Sequence, residues 1–252
     1  MKKVIKFIKP RIVKVTCPEM GLKGTGFIIS EEGHIATNFH VIGQVDQNGR
    51  VHYAKKITVS NLIIGETDAT IVHDIKDTAS VLHDYSIIKI DKNGLEHFEI
   101  GKGNEVEEGD EVYFGGFPIT QNTLTSHKGY VSSLRKAPTR FGTDFQKVID
   151  IDGTVVGGNS GGPLIIKKGE NYIVVGIISQ QVAYLSEAFQ HLEQFLKVQM
   201  TSPNAGSVFI GGMNPNAALF ETIKTLKTNL STGIGTAIFV DYLGQEFEKI
   251  KK

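Results

Sequence analysis

The sequence predicts an all-β fold of two small barrels or sandwiches, with a helical insertion in the second and a helix at the C-terminal end. Three observations carry this. Short runs rich in β-branched and apolar residues recur in two blocks, separated by turn residues. There are 28 Gly against 7 Pro, the balance expected of a chain with many tight turns. Near residue 184 the apolar period changes from that of strands to that of helices.

In the first block, Arg11 to Val15 alternates as a strand, and Gly21 to Gly26 is a tight connection. Phe27-Ile28-Ile29 reads as a buried strand, Glu31-Glu32-Gly33 as a turn, and Ile35 to Ile42 as a strand running into a short helical turn. Ile57-Thr58-Val59, Asn61 to Ile64, Ala69 to His73 and Tyr85 to Ile90 continue the β signal. Residues 95–108 are polar and form a crossing between halves, which sets the domains at 1–100 and 101–252. In the second block, strands are expected at Glu111 to Phe114, Lys128 to Leu134, Phe145 to Ile151, Pro163 to Ile166 and Asn171 to Ser179. Ser186 can cap a helix whose apolar face is Phe189, Leu192, Phe195 and Leu196. Asn214 and Pro215 stand at the start of a second, with Leu219, Phe220, Ile223, Leu226 and Leu230 as its stripe. Gly233 to Val240 returns to β character, and Tyr242 to Ile250 closes the chain as an amphipathic helix.

Bulk chemistry narrows the function classes. The chain has 252 residues, 40% hydrophobic and 21% charged, enough for a substantial core. Lys plus Arg and Asp plus Glu are both 27, which gives no electrostatic case for a nucleic-acid partner. The one cysteine, Cys17, excludes an internal disulfide and fits a reducing compartment. The opening MKKVIKFIKPRIVKV has basic residues inside every apolar run, so no signal peptide is expected, and no run is long enough for a membrane span. The expected setting is therefore cytoplasmic, with no cofactor. Besides His40, the seven other histidines show no metal-ligand spacing. His83 among them reads as surface or locally hydrogen-bonded. No metal is expected. The glycines from Gly21 to Gly26 lack the GKS/T ending of a phosphate loop.

Three segments carry chemistry: Ala36-Thr37-Asn38-Phe39-His40-Val41, His83-Asp84-Tyr85-Ser86-Ile87-Ile88 and Gly157-Gly158-Asn159-Ser160-Gly161-Gly162-Pro163-Leu164. With them the chain resembles the trypsin-like serine proteases, nearest to the high-temperature-requirement (Deg) branch of bacteria. The order His, Asp, Ser matches the chymotrypsin order. The resemblance implies two six-stranded Greek-key β-barrels of the chymotrypsin-like kind, with the first holding His and Asp and the second Ser. It makes His40 the general base, Asp84 the buried carboxylate that orients it, and Ser160 the nucleophile. A serine hydroxyl is a poor nucleophile until a base takes its proton, and imidazole does so near neutrality. The backbone N–H groups of Gly158 and Ser160 become the oxyanion-hole donors.

The resemblance extends through Gly24 to Ile29, Gly109 to Val112 with Gly116-Phe117-Pro118, Gly129 to Ser132, and Gly233 to Ile238. Val175 to Ser179 is similar to the strand that lines the substrate cleft, where a polypeptide substrate adds as an antiparallel strand. It sets Ser179 near Asp84. Thr154, six before Ser160, stands where trypsin-type members carry Asp, which argues against strict Lys or Arg specificity. Thr154 and Thr236 at the pocket floor suit a small or apolar side chain, and Gln180 and Gln181 shape the walls.

Residues 182–231 depart from the family pattern. They read either as a helical pair packed on the second barrel or as a docking element for a regulatory protein; an apolar stripe suits both. Asn159 replaces the aspartate that receives a trimmed N-terminus in digestive members, so no such switch is expected, and no PDZ domain is expected after the barrels. Three functions stay open: peptide-bond hydrolysis through an acyl-enzyme, a silent peptide-binding module, and a scaffold acting through the insertion. An intracellular bacterial protease is the leading expectation.

Overall fold

The protein is described by a computed structural model covering residues 2–119, 121, 123–139, 144–181, 187–201, 214–229 and 234–251. The chain opens with helix α1 (Lys2–Ile8), whose Val4 and Ile8 are buried one turn apart while Lys2, Lys3 and Lys6 face solvent. Strands β1 (Ile12–Cys17), β2 (Leu22–Ile28) and β3 (His34–Thr37) come next, then the single turn α2 (Phe39–Ile42) and a small hairpin, β4 (Gly43–Val45) with β5 (Val51–Tyr53). After the hairpin run β6 (Ile57–Asn61), β7 (Gly65–Ile71), the short helix α3 (Ala79–Leu82) and β8 (Ser86–Lys89). Six of these strands close a barrel in the order β1-β2-β3-β8-β7-β6. Alternation drives it: Val13, Val15, Ile35, Val59 and Ile88 fill its interior.

The second half holds β9 (Glu99–Ile100), β10 (Glu111–Gly116), β11 (Thr125–Pro138), β12 (Phe145–Asp152), β13 (Pro163–Lys168) and β14 (Asn171–Gln181). Beyond residue 181 lie α4 (Glu187–Thr201) and α5 (Pro215–Asn229), then β15 (Ile234–Phe239) and α6 (Asp241–Ile250). These strands form one seven-stranded sheet, β13-β10-β11-β12-β15-β14-β9, in which β13 also pairs with β14.

The expected all-β chain of two six-stranded barrels is therefore corrected. One closed six-stranded barrel is present, the second sheet has seven strands, and six α-helices lie among the described residues. Two signals explain the difference. The β9 segment lies in the polar stretch 95–108 and pairs parallel to β14, a long-range pairing invisible to hairpin-by-hairpin reading. The α1 segment is short, seven residues, and its buried Val4 and Ile8 at helical spacing are mixed with Ile5, Phe7 and three lysines, too brief a pattern to announce a helix. A smaller correction concerns Asn61 to Ile64, read as β-rich. Here the Asn61 side-chain oxygen accepts the N–H groups of Ile63 and Ile64, both at 2.8 Å, which turns the chain and leaves Leu62 and Ile63 exposed.

The chain divides into two compact units, Met1–Gln181 with Gly233–Lys252, and Val182–Thr232. In the second, α4 and α5 are in contact, Leu196 and Ile223 are buried, and the Asn214 side chain accepts the N–H of Asn216 at the start of α5, as expected. Ser186 lies outside the described residues, as do the side chains of Phe189, Leu226 and Leu230. In the first unit the barrel and the sheet share a core in which Phe98 is fully enclosed. Its ring meets Phe7 edge-on at 5.7 Å and Phe27 at 6.0 Å. Phe98→Ala should cost about 3–5 kcal/mol in urea unfolding; a loss below about 1 kcal/mol would show that this cluster does not join the two halves.

Candidate active site

His40 sits on α2, two residues after Asn38, and its side chain is 29% exposed. The Asp84 carboxylate takes both of its N–H groups. Oδ1 accepts the His40 backbone N–H at 3.0 Å and Oδ2 accepts ring Nδ1–H at 2.7 Å. A carboxylate offers only acceptors, so Nδ1 carries the proton and Nε2 keeps its lone pair.

Asp84 is held in place through an unusual backbone. Helix α3 ends at His83, and the N–H of Tyr85 reaches back to the carbonyl of Ser80 at 3.0 Å. This is the helix-ending turn whose left-handed residue is ordinarily Gly. Asp84 occupies it with φ 51°, the one non-glycine with positive φ among the described residues. Such a backbone costs about 1–3 kcal/mol and persists where neighbours over-determine it. Those neighbours are present. Asn38 donates to the Asp84 carbonyl at 2.7 Å, and the Ser179 hydroxyl donates to Oδ2 at 2.8 Å. Burial alone would push the Asp84 carboxyl up, but the charge of His40 and the hydrogen bonds from His40 and Ser179 outweigh it and hold the group below the usual carboxylate range.

Ser160 stands in the loop before β13. Its hydroxyl donates to the carbonyl of Ser179 at 2.9 Å. Ser179 thus bridges the two groups, with its hydroxyl on Asp84 and its carbonyl on Ser160. The peptide between Gly157 and Gly158 gives its carbonyl to the N–H of Ile119 at 2.9 Å, so the Gly158 N–H points the opposite way. Neither that N–H nor the N–H of Ser160 has an acceptor among the described residues. Gly158 has φ 99°, and a Cβ there would lie 2.2 Å from the Phe117 carbonyl oxygen; only glycine permits this turn.

One organising residue was not singled out by the sequence. Thr25, fully buried on β2, donates its hydroxyl to the Gly158 carbonyl at 2.7 Å and accepts the Phe117 N–H at 2.9 Å. Its own N–H donates to the Ser160 carbonyl at 2.8 Å, and its carbonyl accepts the Thr37 hydroxyl at 2.7 Å. These bonds tie the first barrel to the loop of Ser160. The glycines from Gly21 to Gly26 read as a tight connection, whereas the structure puts Leu22–Ile28 on β2, with Thr25 inside that strand.

Four residues are expected to shape a pocket. Thr154 is exposed after β12. Thr236 on β15 is buried and donates its hydroxyl to Asp150 at 2.9 Å; Asp150 in turn pairs with Arg135. Gln180 and Gln181 pair through their backbones with Thr236 and Gly235, while their side chains lie outside the described ones. The buried Val155 instead faces β15: a Cβ on Gly235 would lie 2.3 Å from it.

Residues 24–177 match the family described as the trypsin-like peptidase domain. Among curated proteins, the mitochondrial serine protease HTRA2 of Drosophila erecta is 27% identical over 219 residues, 84% of this chain and 48% of that protein. The same protease of Drosophila virilis is 26% identical over the same share of this chain. The chain thus spans about half the length of the curated relatives it matches. Among solved structures, the HtrA-type protease AlgW with tripeptide has a TM-score of 0.63 at 21% identity, covering 99% of this chain and 62% of that one. The active form of the Rv3671c protease from M. tuberculosis has a TM-score of 0.63 at 19% identity, covering 98% and 83%. At such identities these structures share the fold.

The lowered Asp84 pKa fixes a pH dependence. A depressed carboxyl contributes stability above its unfolded pKa, near about 3.9, and loses it as pH falls through the folded value. Relative to Asp84→Asn, the wild type should lose thermal stability as the pH falls from about 5 to about 2. A difference in Tm that stays constant over this window would remove the assigned electrostatic role.

Proposed function

Since the chain belongs to the trypsin-like peptidase family, we propose that it hydrolyses peptide bonds in polypeptide substrates through an acyl-enzyme, with Ser160 as nucleophile, His40 as general base and Asp84 as its orienting carboxylate. The observation that carries this reading is the unbroken hydrogen-bond chain from His40 through Asp84 and Ser179 to the Ser160 hydroxyl.

The chemistry rests on those groups. As Ser160 Oγ attacks the scissile carbonyl carbon, its proton passes to His40 Nε2. The imidazolium is stabilised by Asp84, which keeps its own charge. The carbonyl oxygen becomes an oxyanion and receives the N–H groups of Gly158 and Ser160, donors that need no rearrangement. His40 then gives its proton to the leaving amine, and the acyl group stays on Ser160. Water, deprotonated by the same imidazole, attacks the ester and releases the acid, and the proton returns to Ser160. In the resting arrangement the Ser160 hydroxyl points at the Ser179 carbonyl; the reaction requires it to turn toward His40 Nε2, a motion of one side chain about χ1.

That resting hydroxyl also favours a second reading, a peptide-binding module that does not turn over. Two further parts of the proposal rest on composition and pattern. The buried, unpaired Cys17 supports a reducing, cytoplasmic setting. The apolar faces of α4 and α5, with Phe195 and Val198 exposed, support docking of a regulatory protein on residues 182–231. No helix among the described residues is long and apolar enough to cross a membrane.

A fluorophosphonate probe separates the readings. The wild type should be labelled covalently at Ser160, Ser160→Ala should not be labelled, and Asp84→Asn should lower turnover on a peptide library by about 10⁴-fold. A wild type that binds peptides but neither reacts with the probe nor cleaves would make the chain a binding module.

A further inference from the structure

His83 is one residue from Asp84 and is no surface group. Only 8% of it is exposed. Its ring lies flat on that of Tyr242 in α6, with centroids 3.6 Å apart and planes 11° from parallel. Its Nδ1 meets the side-chain oxygen of Gln146, itself 8% exposed on β12, at 3.1 Å. An amide oxygen accepts, so Nδ1 carries the proton here as well. Both partners belong to the second half of the chain, while His83 closes the last turn of α3 through its N–H to the Ala79 carbonyl.

This clamp matters because it adjoins Asp84, which holds a left-handed backbone that is uncommon for any residue but glycine. The bonds from Asn38 and Tyr85 fix that turn from its C-terminal side, and the aromatic stack with the Gln146 bond fixes it from its N-terminal side. A ring held flat between two elements cannot swing, and the Cα that carries it cannot move without breaking two contacts at once. The direction of the Asp84 carboxylate toward His40 is thus set by both halves of the molecule.

We infer that His83 is a positioning residue for the proposed triad: clamped by Tyr242 and Gln146, it holds the Asp84 turn so that the carboxylate grips His40. This rests on the reading of His40, Asp84 and Ser160 as a triad. A small misplacement of a group that orients a base costs up to about 10²-fold in rate.

The test measures the rate of labelling by a fluorophosphonate probe against pH, in the full chain. His83→Ala should slow labelling by about 10- to 100-fold. It should also move the acid limb of the profile to lower pH, because the His40 imidazolium loses part of its carboxylate support. His83→Phe, which keeps the stack, should recover most of the rate. Tyr242→Ala should reproduce the loss, and it serves in place of His83→Ala should that variant not fold. Phe98→Ala, weakened in the shared core, is the structural control and should leave the limb where it is. An unchanged rate and limb in His83→Ala and Tyr242→Ala would overturn the inference, and so would slowing that tracks only the folded fraction with no movement of the limb. If the wild type is labelled at Ser160 while these variants behave as wild type, this inference fails alone. If the wild type is not labelled, the triad reading fails and takes this inference with it.

Discussion

The Asp84 carboxylate is the junction on which the site depends. It is a buried charge, and a buried charge is tolerable only with its acceptor sites filled. Two of its bonds come from His40 in the first barrel and one from Ser179 on β14 in the second sheet. The two halves therefore supply partners to the same carboxylate, and neither half alone satisfies it. Thr25 makes the reverse connection. From β2 it reaches the carbonyls of Gly158 and Ser160 and so anchors the loop that presents the hydroxyl. With one junction directed each way, displacing either half breaks several buried hydrogen bonds together, each costing about 1–3 kcal/mol when a group is left unpaired.

Much of this was legible in the sequence wherever the information is local. The run from Gly157 to Pro163 encodes a turn that glycine alone can make, and Gly158 at φ 99° bears that out. The strands rich in Ile and Val fell close to their expected positions, because alternation decides which side chains are buried. What escaped depends on distant partners. Thr25 and Gly158 are 133 positions apart, and nothing in the residues around Thr25 announces the bond between them. Thr236 is expected at a pocket floor from the resemblance, but nothing beside it in sequence announces that its hydroxyl donates to Asp150, which pairs with Arg135. His83 adjoins Asp84 and reads from sequence only as a surface or locally hydrogen-bonded group. Asp84 lies in a helix-ending turn, so its neighbour is coupled to it through the backbone.

The parts of the site differ in how finished they are. The N–H groups of Gly158 and Ser160, the oxyanion donors of the proposed reaction, have no acceptor among the described residues, and His40 already has its tautomer. The Ser160 hydroxyl is turned aside. This division suits the energetics. Reorienting peptide dipoles during a reaction is expensive, so those are best fixed by folding. A hydroxyl turns within one side chain, and moving it disturbs no backbone.

The resting bond from Ser160 to the carbonyl of Ser179 also bears on what can be processed. For the hydroxyl to leave, that carbonyl must give up a donor, and an acceptor stripped of its donor away from water is penalised. A chain of amino acids laid along β14 brings N–H groups of its own and can replace the lost bond as it arrives. A simple ester brings none. On the proposed reading, the contact that holds the serine hydroxyl at rest favours incoming molecules that carry an amide hydrogen at the right place, before any bond is broken.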